Sequence, residues 1–147
     1  MLPLTDIEID VFQQWRQEDQ NCPGGRAVVC MSDRETIHLC RNKRRAAQLL
    51  DAQKICRTIP GKRLSELLET LENSGQEGLA GLSYPLVIKP EDGRSSQGLR
   101  RIFDFREMEL AVSQLREQAE HYLVQPMISG GITTCLLYTS DAADDSR

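Results

Sequence analysis

Apolar positions recur at helical spacing in several stretches, and short apolar runs bounded by proline and glycine lie between them. Ile7, Val11, Phe12 and Trp15 share one helical face. Thr5 or Asp6 stands as the cap, and Glu8 and Asp10 are favourable in the first turn. Leu2 to Asp6 reads as the end of a strand turning into that helix. Asn21 to Gly25 is a turn cluster, and Ala27 to Met31 reads as a short buried strand. Ser32 followed by Glu35 is a capping pattern that opens a helix to Cys40, with Ile37 and Cys40 facing inward. Asn42 caps the next helix, whose buried stripe is Ala46, Leu49 and Leu50. Ile55 to Ile59 reads as a strand and Pro60-Gly61 as a turn. Leu64, Leu67, Leu68 and Leu71 mark a third helix at clean 3.6 spacing, and Asn73 to Gly81 is a polar connection.

The second half begins with a hairpin. Leu86, Val87 and Ile88 form a buried strand that ends at Lys89, where Pro90 cannot donate to a ladder. Glu91 to Gly98 forms an irregular tip, and Leu99 to Phe103 resumes as a strand. Asp104 and Glu107 are a cap pair for a helix whose stripe is Met108, Ala111, Val112, Leu115 and Ala119, ending near Glu120. Tyr122 to Val124 is a further strand, which the chain leaves at Pro126.

Composition narrows the class. The 147 residues are one domain's worth, 39% apolar and 27% charged, as in soluble globular chains. No apolar run approaches 18 residues and the acidic N-terminus lacks the basic region of a signal peptide, so the expected location is cytoplasmic, with no membrane partner. Cysteines at 22, 30, 40, 56 and 135 follow no metal spacing and suit reduced thiols; no metal ligands are assigned. The net charge of −4 weighs against nucleic acid as main partner. Residues 135–147, CLLYTSDAADDSR, lack any cap or period, and 135–144 match a translated sequencing adaptor. They are expected to be a non-native tail.

Candidate chemistry gathers in the hairpin. A lysine at a strand end, beside a loop with Gly93 and Gly98 around Ser95, Ser96 and Gln97, suits a phosphate chain. The same residues also suit an ordinary surface hairpin. Lys43 opposes the dipole at the N-terminus of its helix, a placement that anion binding would explain and that chance would also allow. Gln125 to Gly130 pairs backbone polar groups with apolar Met127 and Ile128, as an adenine ring requires. His38 has no second ligand at a useful spacing.

Taken in order, PLTD at the start, ETIHLCRNK at 35–43, YPLVIKPEDGRSSQG at 84–98 and YLVQPMISGG at 122–131 resemble an ATP-grasp ligase, most closely the carbamoyl-phosphate synthase-like branch. The resemblance covers residues 1 to about 134. It implies an α/β (α+β) fold with a mixed sheet, helices and a small lid subdomain built on the hairpin. Residues 1–34 would end a preceding Rossmann-like region. Residues 35–83 would be the first helical part and 84–134 an incomplete lid subdomain. Lys43 and Lys89 would contact ATP phosphates, Gly93, Arg94, Ser95, Ser96, Gln97 and Gly98 would cover them, and Gln125, Pro126, Met127 and Ile128 would hold adenine. The family activates a carboxylate with ATP and Mg²⁺ to an acyl phosphate, so ATP and an unidentified small carboxylate are the implied partners. Gln125 stands where many relatives have Glu, and Ile132 stands near a position usually acidic. The family's metal-binding carboxylates would lie beyond Thr134, so the chain alone is expected to be inactive.

Two other functions compete. Arg41, Lys43, Arg44, Arg45, Lys54, Arg57, Lys62 and Arg63 place eight cations in the 41–63 segment with only Asp51 opposing them, a pattern that can track nucleic-acid phosphates. The segment lacks aromatics for base stacking. The third reading is a non-catalytic nucleotide-binding protein.

Overall fold

A computed structural model describes residues 3–18, 29–93 and 97–130. Helix α1 spans Asp6–Glu18, α2 Arg34–Arg41 and α3 Lys43–Ala52. Strand β1, Lys62–Arg63, leads directly into α4, Leu64–Ser74, and a 3₁₀ turn at Gly75–Leu79. Strands β2 (Leu86–Pro90) and β3 (Arg100–Ile102) form the hairpin. Helix α5 (Phe105–Leu115) follows, then a 3₁₀ turn at Arg116–His121 and β4 (Tyr122–Pro126). The sheet order is β1-β4-β2-β3, antiparallel at every junction, and the α/β class read from the sequence holds.

Cross-strand partners share a face and successive residues alternate, so the register separates two surfaces. Leu86, Ile88, Ile102 and Val124 face α4 and α5, where Leu64, Leu67, Met108 and Ala111 close the core. Val87, Lys89, Leu123 and Gln125 lie on the other face, joined in register by Arg63 and Arg101. The 3.6 period of α4 and α5 therefore positions the site, because it gives the sheet one dry face and leaves the other for polar chemistry.

Several expected elements differ. Helix α2 is capped by Asp33, whose carboxylate accepts from Thr36 N at 2.8 Å, rather than by Ser32. Cys40 is exposed rather than inward, as are the thiols of Cys30 and Cys56. The stripe of α3 is at most half-buried, with Leu49 exposed. Residues 55–59 form no strand. There Asp51 accepts from both the amide and the hydroxyl of Thr58, and side-chain capture of this kind takes the backbone out of a ladder. Met31 and its two predecessors are likewise outside any strand, and residues 27–28 lie outside the described residues. Pro3 to Thr5 adds no strand before α1. The supposed polar connection at 73–81 continues α4 and then turns as 3₁₀. Strand β2 runs through Pro90, which pairs with Tyr122. Pairing with β3 stops at Ile88, so Pro90 sits where one side of the strand is open and a missing N–H costs little. Helix α5 ends at Leu115 and the last turn tightens to 3₁₀, while β4 extends to Pro126.

Candidate functional site

Two lysines on different elements meet at the open end of the polar sheet face. Lys43 begins α3, where the Asn42 side chain caps the helix by accepting from Arg45 N at 2.8 Å. The backbone N–H of Lys43 donates to Glu91 O at 2.9 Å. Its ammonium donates to Gly93 O at 2.8 Å and reaches Glu91 O at 3.5 Å. Lys89 stands in β2 on the polar face, half-buried. Burial lowers its pKa below the ordinary lysine value, and the charge of Lys43 lowers it further. Among the described residues its ammonium has no acidic or carbonyl partner.

Glu91 organises this corner. It is 5% exposed, and its carboxylate takes a two-pronged bond from Arg63: Nε to Oε1 at 2.7 Å and a terminal nitrogen to Oε2 at 3.2 Å. Asn42 Nδ2 donates to the same Oε2 at 3.1 Å, and the Glu91 amide donates to His121 O at 2.8 Å. Burial alone would raise the pKa of this carboxyl. The Arg63 and Asn42 hydrogen bonds and the charges of Arg63 and Arg44 outweigh burial and hold it below the usual carboxylate range. An isolated antiparallel bridge between Asn42 and Asp92 completes the join between α3 and the hairpin.

Beside Lys43 opens a cleft of about 490 Å³, lined by Asp6, Asp10, Cys40, Arg41, Lys43, Asp92, Gly93 and Gln97. Arg41 ties α1 to it, donating to Asp10 at 2.5 Å and to Asp6 O at 2.9 Å. Of the residues singled out in the sequence, Lys43, Gly93 and Gln97 line this one cleft, with Lys89 adjacent to Lys43 in the field it feels. Gly98 has φ +71°, and a Cβ there would stand 3.0 Å from Pro90 Cγ. Arg94, Ser95 and Ser96 lie outside the described residues. Gln125 is buried and donates from Nε2 to Ile59 O at 2.7 Å, lining a separate cavity of about 210 Å³. Met127 N donates to Pro85 O at 2.8 Å, Pro126 remains in the ladder, and Ile128 is exposed.

Sequence reasoning missed Glu91 and Arg63. Nothing local announces their pairing, since it spans 28 residues. The one hint is an acid placed directly after Lys89-Pro90. The basic 41–63 segment is also less free than its composition suggests. Arg41 pairs with Asp10, Arg44 with Glu66 at 2.7 Å, and Arg63 with Glu91.

Comparison with known proteins decides the fold. The D-Ala:D-Ser ligase VanG from Enterococcus faecalis superposes with a TM-score of 0.54 and 26% identity over 69% of this chain. The D-alanine–D-alanine ligase from Helicobacter pylori gives a TM-score of 0.51 at 20% identity over 65% of the chain. Both are ATP-grasp ligases. The chain has an ATP-grasp fold. A curated D-alanine–D-alanine ligase from Azobacteroides pseudotrichonymphae genomovar CFP2 is 33% identical over 57 residues, 39% of this chain. No family model matches. The ATP-grasp chain spans 18% of that curated relative and 28% and 29% of the two solved structures. No helix among the described residues is long and apolar enough to cross a membrane.

The donor set suits an anion. Two ammonium groups lie in one another's field, with no carboxylate on Lys89 among the described residues, as a phosphate chain would require. It does not suit a divalent cation: among the described residues no three His, Cys, Asp or Glu side chains stand where they could hold one ion together, and Asp6 and Asp10 are already engaged by Arg41.

Proposed function

We propose that the chain supplies the lysine-bearing half of a nucleotide site in an ATP-grasp ligase. The observation that carries this reading is Lys89: a half-buried ammonium beside a second cation, without a counter-ion among the described residues. Such an arrangement costs stability until an anion arrives, and functional sites are where such costs collect. In this reading Lys43 and Lys89 hold the phosphates of ATP. Gly93, Gln97 and Gly98, with Arg94, Ser95 and Ser96, lie over them, and Gln125 to Ile128 border the base. ATP would supply the leaving group that activates a small carboxylate through an acyl phosphate. The chain's own residues orient the phosphates and offset their charge. Mg²⁺ would accompany the nucleotide on carboxylates other than those described. The narrower likeness to the carbamoyl-phosphate synthase branch rests on the four sequence stretches alone.

The nucleic-acid reading is disfavoured by the ion pairs of Arg41, Arg44 and Arg63, which pair three of the clustered cations with acids of the same chain. A non-catalytic nucleotide binder would use the same lysines and differ only in turnover.

Cys40 provides a test, because its thiol is exposed and lines the cleft beside Lys43. ATP should slow alkylation of Cys40 while leaving Cys56 unaffected, and adenosine, which has no phosphates, should protect far less. Equal alkylation of Cys40 with and without ATP would place the phosphates elsewhere.

A further inference from the structure

We infer that Glu91 is a positioning residue that sets the separation of the two phosphate-facing lysines; the inference rests on the nucleotide reading above. Lys43 and Lys89 repel each other, and they sit on elements far apart in sequence. Something must hold Lys43 against that repulsion while no anion is bound. Glu91 makes several of the contacts in the join. Its carboxylate holds Asn42, the residue that caps α3 and immediately precedes Lys43. Its carbonyl oxygen receives the Lys43 amide and lies at the limit of reach of the Lys43 ammonium. Its position two residues beyond Lys89 in the chain ties that acceptor to β2.

Arg63 makes the arrangement work. A bare carboxylate at this position would be the natural partner for either lysine, and would occupy the charge that an incoming phosphate needs. Arg63 reaches both carboxylate oxygens of Glu91 and turns its charge toward β1. The buried acid therefore orients Lys43 through neutral groups, its own carbonyl oxygen and the Asn42 side chain whose amide nitrogen donates to it, without neutralising the ammonium. The alternative is that Glu91 with Arg63 is only a buried ion pair holding β1 to the hairpin.

A double-mutant cycle separates the two. ATP affinity is measured for the full chain, for Glu91→Ala, for Lys43→Ala and for both together. If Glu91 acts through Lys43, Glu91→Ala should weaken ATP about tenfold in the presence of Lys43 and less than about twofold once Lys43 is alanine. A merely structural residue would give the same loss in both backgrounds, and that result, or unchanged affinity in Glu91→Ala, overturns the inference. If Glu91→Ala does not fold, Glu91→Gln takes its place in the cycle. It keeps the volume and an acceptor for Asn42 but drops the charge that grips Arg63, and about a threefold loss confined to the Lys43 background is expected. Lys89→Ala measured alongside keeps the two claims apart. Unchanged affinity there removes the nucleotide site altogether, whereas a loss in Lys89→Ala with none in the Glu91 variants removes only the role of Glu91.

Discussion

Lys89→Ala should weaken ATP binding by roughly 1.5–3 kcal/mol, the range for hydrogen bonds to charged groups. The ammonium has no acidic partner among the described residues, so its charge is free to meet the phosphates, and after its loss Lys43 alone remains to offset theirs. Lys89→Arg should restore only part of the affinity, since a planar fork does not reproduce a compact point charge at the end of a half-buried stem. Lys62→Ala removes a nearby cation on β1 that pairs with Val124 on the core face, and should change ATP affinity little. Titration calorimetry of the three variants checks this, and an equal loss in Lys62→Ala and Lys89→Ala would reduce the site to general electrostatics. The same substitution should act on stability with the opposite sign. The folded-state pKa of Lys89 lies below its unfolded value. Between the two values the unfolded chain binds more protons, so stability in the absence of nucleotide should rise with pH across that window and level off above the ordinary lysine value. Lys89→Met should abolish that rise.

Gly78→Ala should destabilise the fold by about 3 kcal/mol, the upper end of the range for forced overpacking. A Cβ at Gly78 would stand 2.2 Å from the Thr70 carbonyl oxygen and 2.6 Å from Leu71 N. Both are backbone atoms of α4, which cannot swing aside as a side-chain tip would. The 3₁₀ turn is also tied down at this point, because the Thr70 hydroxyl donates to Gly78 O at 2.8 Å. Relief would require lifting the turn away from α4 and with it Leu79, a core residue. Gly81→Ala is the control for φ, since Gly81 is left-handed at +88° with open space around it, and its cost should be backbone strain alone. Chemical denaturation of both variants measures the difference, and a smaller loss for Gly78→Ala than for Gly81→Ala would show that the turn yields.

The parts of the fold that were legible in the sequence are those whose signal is local. The stripe Leu64, Leu67 and Leu71 and the Asp104–Glu107 cap, where the Asp104 carboxylate accepts from Glu107 N at 2.9 Å, needed only neighbours within a few residues. The Asn42 cap and the strand leading to Lys89 were read for the same reason. The failures lie where distant partners decide. Residues 55–59 have strand-like composition, yet Asp51 captures Thr58 and Lys54 takes a left-handed φ of 54°, so the chain turns instead of pairing. Strand β1 has two residues, too few for any period to show.

The candidate site divides in the same way. The two lysines could be named from charge placed near an element's end, where a cation opposes a helix dipole or follows the apolar run of a strand. The acids that fix their surroundings could not. Asp10, Glu66 and Glu91 meet Arg41, Arg44 and Arg63 across 31, 22 and 28 residues, which turns an apparently unopposed basic segment into a set of internal pairs. Gln125 was read as bordering a base, and its side chain is occupied by Ile59 O, a contact 66 residues away.

The central claim is that Lys89 and Lys43 form an anion site in which Lys89 has no acidic partner among the described residues. The most direct test follows the Lys89 side chain by NMR through a pH titration, with and without ATP. The account predicts a pKa below the ordinary lysine value in the free protein, moving upward when ATP binds because phosphate favours the charged ammonium. A Lys89 that titrates identically with and without ATP, while ATP binds elsewhere or not at all, would contradict it.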